Sequence, residues 1–205
     1  MIYGTLLVIS APSGAGKSSL VKALLQADSG LALSISHTTR AARPGERDGV
    51  EYHFTERSGF EAMLAANTFL EYAEVFGNYY GTAQPALEAL RQQGHDVILE
   101  IDQQGAAQVR QRLPDAVTIF ILPPSREALY QRLTGRGQDA PEVIQRRIGE
   151  AAAEIAHCGE FDYIVINDQF DQALADLQAI IHAQRCRRER QLIAHAALIH
   201  SLKQE

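Results

Sequence analysis

The chain has 205 residues, 46% hydrophobic and 21% charged, the balance of an ordinary globular protein with room for one substantial core and small appended subdomains. Nineteen basic against twenty-five acidic residues leave a net charge of −6, which argues against a general affinity for nucleic acid or an anionic membrane, so anion binding has to be local. No apolar run approaches the roughly 20 residues that span a bilayer, and the amino terminus lacks a leader pattern, so a cytoplasmic location is expected.

Thr5 to Ile9 is an apolar run that stops at Ser10-Ala11-Pro12-Ser13-Gly14-Ala15-Gly16-Lys17-Ser18-Ser19, and the stretch reads as strand, phosphate loop and helix. Gly14 and Gly16 let the backbone turn its N–H groups onto an anion, and the helix that follows adds the positive end of its dipole. Lys17 supplies a mobile cation, and the Ser18 hydroxyl suits a magnesium ion that accompanies a nucleotide. The usual pattern opens on glycine, where this chain has Ala11.

The first helix ends near Asp28-Ser29-Gly30, and Leu31 to Ser36 is a short strand candidate. His37 to Gly49 is a charged loop with turns at Pro44-Gly45 and Asp48-Gly49, and His37 in it is expected to be a loop residue without a metal. Glu51 to Phe54, Phe69 to Phe76 and Asn78 to Tyr80 read as strands and Arg57 to Ala66 as a helix, together a small insertion capped by a helix from Ala83 to Gln93. Asp96 to Asp102 and Val117 to Leu122 are buried-strand patterns with a helix between them, which points to a parallel α/β sheet. Two helices follow, broken at Gly135-Arg136-Gly137, then a last strand at Tyr163 to Ile166 and a helical tail from Phe170 to about Leu202. Cys158 and Cys186 have neither metal nor redox spacing and read as reduced side chains on helices.

Chemistry gathers at three places. Asp102 stands at a strand end, where it either lies near magnesium or substrate or caps the next helix, and Glu100 shares its face of the strand. Arg132, Arg136, Arg146 and Arg147 flank the glycine break; their planar forks suit phosphate oxygens, although helical arginines are often simply solvated. Ser36, Arg40, Arg43, Glu46, Tyr52, Glu71, Tyr80 and Thr82 are spread over the insertion, where the arginines and tyrosines could hold a second phosphate and Glu71 a donor-rich base edge such as that of guanine. The basic run Arg185 to Arg190 is expected to be a solvated helix face or a subunit contact.

With these residues in view the chain resembles guanylate kinase of the bacterial type over nearly its whole length. The motifs that carry the resemblance are Ser10 to Ser18, Thr38-Thr39-Arg40 with Arg43-Pro44-Gly45-Glu46, Gly77-Asn78-Tyr79-Tyr80-Gly81-Thr82, Glu100-Ile101-Asp102 with Gly105, Gly135-Arg136-Gly137 and Val165-Ile166-Asn167-Asp168. The resemblance implies a P-loop parallel sheet flanked by helices (1–35, 85–124 and 159–205), a mixed α/β GMP-binding insertion (36–84) and a helical lid (125–158). It implies that Ser36, Glu71, Thr82 and Asp102 read guanine, that Arg40, Arg43, Tyr52 and Tyr80 hold the GMP phosphate with Glu46 in the same loop, and that Lys17, Arg132, Arg136 and Arg147 surround the transferring phosphoryl group. ATP would lie along Ser13, Gly14, Ala15, Gly16, Lys17, Ser18 and Ser19, with Asn167 and Asp168 by its base and Mg2+ at Ser18. Glu100 stands where other members have aspartate. The implied substrates are ATP and GMP, with no nucleic acid or membrane partner; a homo-oligomer through the apolar C-terminal segment around Leu192 and Ile193 is compatible with the pattern. A non-catalytic binding module of the same fold, or a kinase of another nucleoside monophosphate, is the alternative.

Overall fold

All five residues of β1 (Leu6–Ser10) are buried. Burial on both faces accounts for a continuous apolar run where a half-exposed strand would alternate. In the computed structural model, which describes residues 2–75, 77–135 and 141–204, β1 is the central strand of a five-stranded parallel sheet. It lies between β7 (Asp96–Glu100) and β8 (Val117–Leu122), with β2 (Leu31–Leu33) outside β7 and β9 (Tyr163–Ile166) outside β8.

Alternate strand residues feed two cores, as a period of two requires. Leu7 and Ile9 join Ile98 and Ile119 beneath α1 (Lys17–Ala27) and α7 (Phe170–Arg185), while Leu6 and Val8 join Leu99 and Phe120 beneath α3 (Gln84–Gln92) and α4 (Gln103–Arg112). The chain leaves β1 for β2 by passing over β7, so a crevice opens at the carboxyl end of β1, where ligands of open α/β sheets collect.

The insertion forms a second sheet, in the order β4-β3-β6-β5, from β3 (His37–Thr38), β4 (His53–Phe54), β5 (Phe69–Val75) and β6 (Asn78–Ala83). Its helix α2 (Arg57–Ala65) sends Phe60 between Phe69 and Tyr79, with ring centroids 4.4 and 5.3 Å away, and this stack is most of its core. β6 runs past Tyr80 because Gly81 and Thr82 pair with Tyr72 and Glu71. β4 is shorter than expected, and His37 lies in β3, not in a loop, its ring 4.8 Å from that of His53. Burial and the neighbouring His53 lower the pKa of His37.

Helix α4 of the core grips β5. Gln108 exchanges hydrogen bonds with the Tyr72 backbone, accepting from its N–H at 3.2 Å and donating to its carbonyl at 2.6 Å, and Arg112 donates to the carbonyls of Phe69 and Leu70 at 2.8 and 2.6 Å. On the other side, α5 (Arg126–Thr134) starts at Ser125, whose hydroxyl accepts from Ala128 N–H at 3.1 Å, and packs Leu129 and Leu133 on Ala151 of α6 (Pro141–Ile155).

The tail has two breaks, giving α7, α8 (Arg188–Ala194) and α9 (Ala196–Ser201). Here the expectation of a solvated or intersubunit basic run is corrected for Arg185 and Arg190, while Arg187 and Arg188 are exposed. Arg185 pairs with Asp28 at 2.6 Å and with Asp96 at 2.7 Å, and Arg190 reaches Asp96 at 2.5 Å and Thr5 Oγ1 at 2.8 Å. The break after Arg185 folds the run back so that both guanidinium groups converge on the buried Asp96 at the start of β7. Cys158 and Cys186 are free thiols.

Candidate active site

The loop between β1 and α1 carries the glycine geometry that the motif demands. Gly14 and Gly16 adopt φ of 90° and 94°, which side chains with a Cβ rarely enter, and a Cβ on Gly16 would stand 2.4 Å from Asn167 Nδ2. That amide is buried and donates to the Ala15 carbonyl at 2.7 Å. Arg132 donates to the Asn167 carbonyl at 2.8 Å and lies 3.5 Å from that of Ala15, while Arg147 donates to Ser13 Oγ at 2.7 Å. Arginines of α5 and α6 thus meet on one loop. Asp168 and Ser19 are exposed beside it. Arg136 and Gly137 lie outside the described residues.

Lys17 opens α1 and donates to the Ile101 carbonyl at 3.2 Å. Burial lowers its pKa, and the nearby Glu100, Asp102 and Glu154 oppose that shift. Ser18 donates a hydrogen bond to the Glu100 carboxylate across the gap between α1 and β7. Oxygen ligands of this type suit magnesium, although among the described residues no cluster of three or more His, Cys, Asp or Glu side chains could hold a metal without a bound substrate. Asp102 accepts from Gly105 N–H at 2.9 Å as the N-cap of α4, the capping role anticipated for it, and its side chain also lines the cleft.

Facing the loop across a cavity of about 300 Å³ are residues of the insertion. Ser36, Arg43, Tyr52, Glu71 and Tyr80 line it together with Lys17, Glu100, Asp102 and Glu154. Glu71 is buried and accepts from Thr82 Oγ1 at 2.5 Å, and the Ser36 and Thr82 hydroxyls lie 3.4 Å apart. Burial raises the pKa of Glu71 to about 7, against the hydrogen bond from Thr82 and with the help of Asp102. Arg40 and Glu46 sit differently from the rest. They form a two-pronged ion pair at 3.0 and 2.9 Å, and Glu46 also accepts from Arg43 N–H at 2.8 Å. Glu46 is therefore spent on its own loop, while the Arg40 guanidinium lies 5.4 Å from the Tyr52 ring centre.

The cavity thus joins Lys17 at the end of the glycine loop to a buried carboxylate flanked by hydroxyls, while Arg132 and Arg147 brace that loop from α5 and α6. Glu154 was the least legible member. Glu100 sits on the strand face shared with Asp102, and Glu154 lies seven positions after Arg147, two helical turns along one face of α6, which a helical projection would have shown.

The guanylate kinase family model matches residues 3–184. A guanylate kinase of Alkalilimnicola ehrlichii is 62% identical over 92% of this chain and 93% of its own, and one of Vibrio cholerae is 53% identical over 98% and 99%. The crystal structure of guanylate kinase from Anaplasma phagocytophilum superposes with a TM-score of 0.77 at 33% identity, covering 92% of this chain and 90% of that one. The glycine loop, the second sheet and helices α5 and α6 all fall within the matched residues, and the chain belongs to the guanylate kinase family.

Proposed function

We propose that the chain catalyses ATP-dependent phosphorylation of GMP, and of dGMP, to GDP by in-line phosphoryl transfer, as a step of purine nucleotide metabolism. The observation that supports this most is the pairing, across one cavity, of a phosphate loop with the buried Glu71. A carboxylate can accept both the ring N–H and the amino group of guanine, whereas adenine offers no such pair of donors on that edge.

On this reading Glu71, Ser36, Thr82 and Asp102 take the base, and Arg43, Tyr52, Tyr80 and Arg40 take the GMP phosphate. Glu46 acts on Arg40, holding its fork in place. Ser13 to Ser19 hold the ATP phosphates, with Asn167 bracing the loop and Asp168 beside it. The domain division at 36–84 and 125–158 follows the same division of labour.

The acceptor oxygen of GMP is already anionic, so the reaction needs alignment and cancelled repulsion more than it needs a base. Lys17, Arg132 and Arg147 supply positive charge around the donor loop, and closure of lid and insertion excludes the water that would otherwise take the γ-phosphoryl group. Mg2+ bound with ATP beside Ser18 and Glu100 would screen the phosphate charge and fix the triphosphate geometry. A non-catalytic binding module of this fold would have no use for Arg132 and Arg147 reaching from α5 and α6 to the loop that ends at Lys17 and Ser18.

ATP and GMP are the partners this reading implies, and the cytoplasm is the compartment that holds them; among the described residues no helix is long and apolar enough to cross a membrane. Leu192, Ile193 and Leu198, exposed on α8 and α9, support a homo-oligomer through the C-terminal segment, which light scattering would test. The reaction itself is tested by following ADP formation from magnesium and ATP with GMP, dGMP, AMP, UMP or dTMP in turn. GMP and dGMP should support it and the others should not. Equal rates with AMP would overturn the role of Glu71, and no GMP-dependent ADP would overturn the activity.

A further inference from the structure

Strand β5 changes face partway along. Glu71, Ala73 and Val75 line the cavity, as a period of two requires, and Tyr72 between the first two is exposed. Extended backwards, the same alternation would put Phe69 on the cavity wall as well. Instead its ring stacks on Phe60 of α2, 4.4 Å away, and Leu70 is buried in the core beneath α3 and α4. A β-bulge makes the switch: Phe69 pairs with Ala83 and Glu71 with Thr82, so Leu70 is an extra residue without a partner on β6. Were the bulge lost while Phe69 kept its place, the one-residue slip would turn Glu71 out of the cavity and towards α2.

The bulge needs support from outside its own sheet. β5 is the edge strand, so β6 holds it from one side only. Helix α4 holds the other. Nη1 of Arg112 donates to the carbonyls of Phe69 and Leu70, and Gln108 bonds both the N–H and the carbonyl of Tyr72. Glu71 is the one residue between these two clamps. Gln108 and Arg112 are four positions apart, neighbours on a single face of α4. Arg112 is otherwise exposed, and both of its side-chain hydrogen bonds end on the bulge.

We infer that Arg112 and Gln108 are positioning residues for recognition of the nucleobase, which fasten the backbone on either side of Glu71 to a core helix and so fix the face on which its carboxylate stands. The inference rests on the reading of Glu71 as the group that takes guanine. Neither side chain lines the cavity, so both act through Glu71. Affinity for GMP is thereby tied to a helix behind the site, and the ATP loop is not.

Steady-state kinetics of the full chain with GMP varied, together with calorimetric titration of magnesium and ATP, tests this. Arg112→Ala should raise the KM for GMP about tenfold, the scale for spoiling a hydrogen bond to a charged group, with the Kd for ATP changed less than about twofold. Arg112→Lys, which keeps a donor for the two carbonyls, should return to within about threefold of the parent. Gln108→Ala should act in the same direction as Arg112→Ala, and it carries the test if that variant fails to fold. Gln111→Ala, exposed on the same helix, is the control and should leave both constants unchanged. In a Glu71→Gln background, Arg112→Ala should raise the KM by less than about twofold more, because the group it positions is already disabled. A full tenfold rise in that background, an unchanged KM in the parent background or an equal weakening of ATP overturns the inference while Glu71 keeps its role. A KM for GMP that Glu71→Gln leaves at the parent value overturns the reading of Glu71, and the inference with it.

Discussion

Gly105 and Glu71 meet so closely that a Cβ on the glycine would stand 2.5 Å from Glu71 Oε2. The contact joins the first turn of α4 in the core to β5 of the insertion, so the carboxylate that would read guanine owes its position to a missing side chain on another element. Gly105→Ala should displace the carboxylate and raise the KM for GMP by about 10- to 100-fold, the range for losing hydrogen bonds to a charged group. The Kd for ATP should change less than about twofold. Glu71→Gln should show the same split, and a matching loss for both nucleotides would mean that the contact is only structural. Steady-state kinetics at fixed ATP, then at fixed GMP, separates the outcomes.

The elevated pKa of Glu71 gives a pH signature. Burial pushes it to about 7, so in the free protein the carboxylate is protonated below that pH and no longer accepts two hydrogen bonds. The value of kcat/KM for GMP should then drop about tenfold per unit below pH 7, and Glu71→Gln should abolish that slope. Stability runs the other way. The folded state holds this proton more tightly than the unfolded chain, whose value is 4.5, so burial of Glu71 costs stability progressively as pH rises from 4.5 to about 7. Glu71→Gln should accordingly raise the Tm at pH 8 and leave it nearly unchanged at pH 4.5, as measured by thermal unfolding followed by circular dichroism.

Lys17→Ala removes a desolvated cation from the loop at the centre of the cleft. Turnover should fall by about 10²- to 10³-fold, the scale for losing one preorganised group that stabilises a transition state. The far-ultraviolet spectrum and Tm should hold, because Lys17 makes one hydrogen bond, to Ile101, and belongs to neither core. Retained turnover would remove the residue from the mechanism.

At the opposite end of the sheet, Asp96 is 1% exposed between Arg185 and Arg190, and Asp96→Asn should destabilise the protein by about 3–5 kcal/mol, as when one member of a buried ionic network is removed. Burial alone would raise the pKa of Asp96, but the two arginines and the Thr5 N–H more than offset it, and the net shift is downward. The stabilisation from Asp96 is therefore complete above its ordinary value of 3.8 and is lost as pH falls below it. Chemical denaturation at pH 7 and at pH 3 should show a large gap between parent and variant at the first pH and a smaller one at the second. The KM for GMP at pH 7 should not change.

Much of this was written in local patterns. The continuous apolar runs at β1, β7 and β8 announced a sheet buried on both faces, and the glycines at 14 and 16 announced the loop between β1 and α1, because each depends on residues adjacent in sequence. The second sheet was legible as strands but not in their extent, since β6 continues to Ala83 only because β5 is there to pair with it. Long-range charge was the least legible. Arg185 and Arg190 looked like surface residues until the break at Cys186 folded them onto Asp96, 89 and 94 positions earlier in the chain. Glu154 was missed for a related reason, as it belongs to no motif and reaches the cleft from another element, and Gly105 was read only as a companion of Glu100-Ile101-Asp102, its contact with Glu71 lying between two elements.

The central claim is that one cavity passes a phosphoryl group directly from ATP on the phosphate loop to GMP on the insertion. It is tested most directly by incubating the purified protein with magnesium, GMP and ATP labelled in the γ-phosphoryl group, then separating the products. The account predicts label in GDP, one for each ADP formed, with inorganic phosphate at the background of a protein-free control. Label released as inorganic phosphate in the presence of GMP, or retained on the protein, would contradict it.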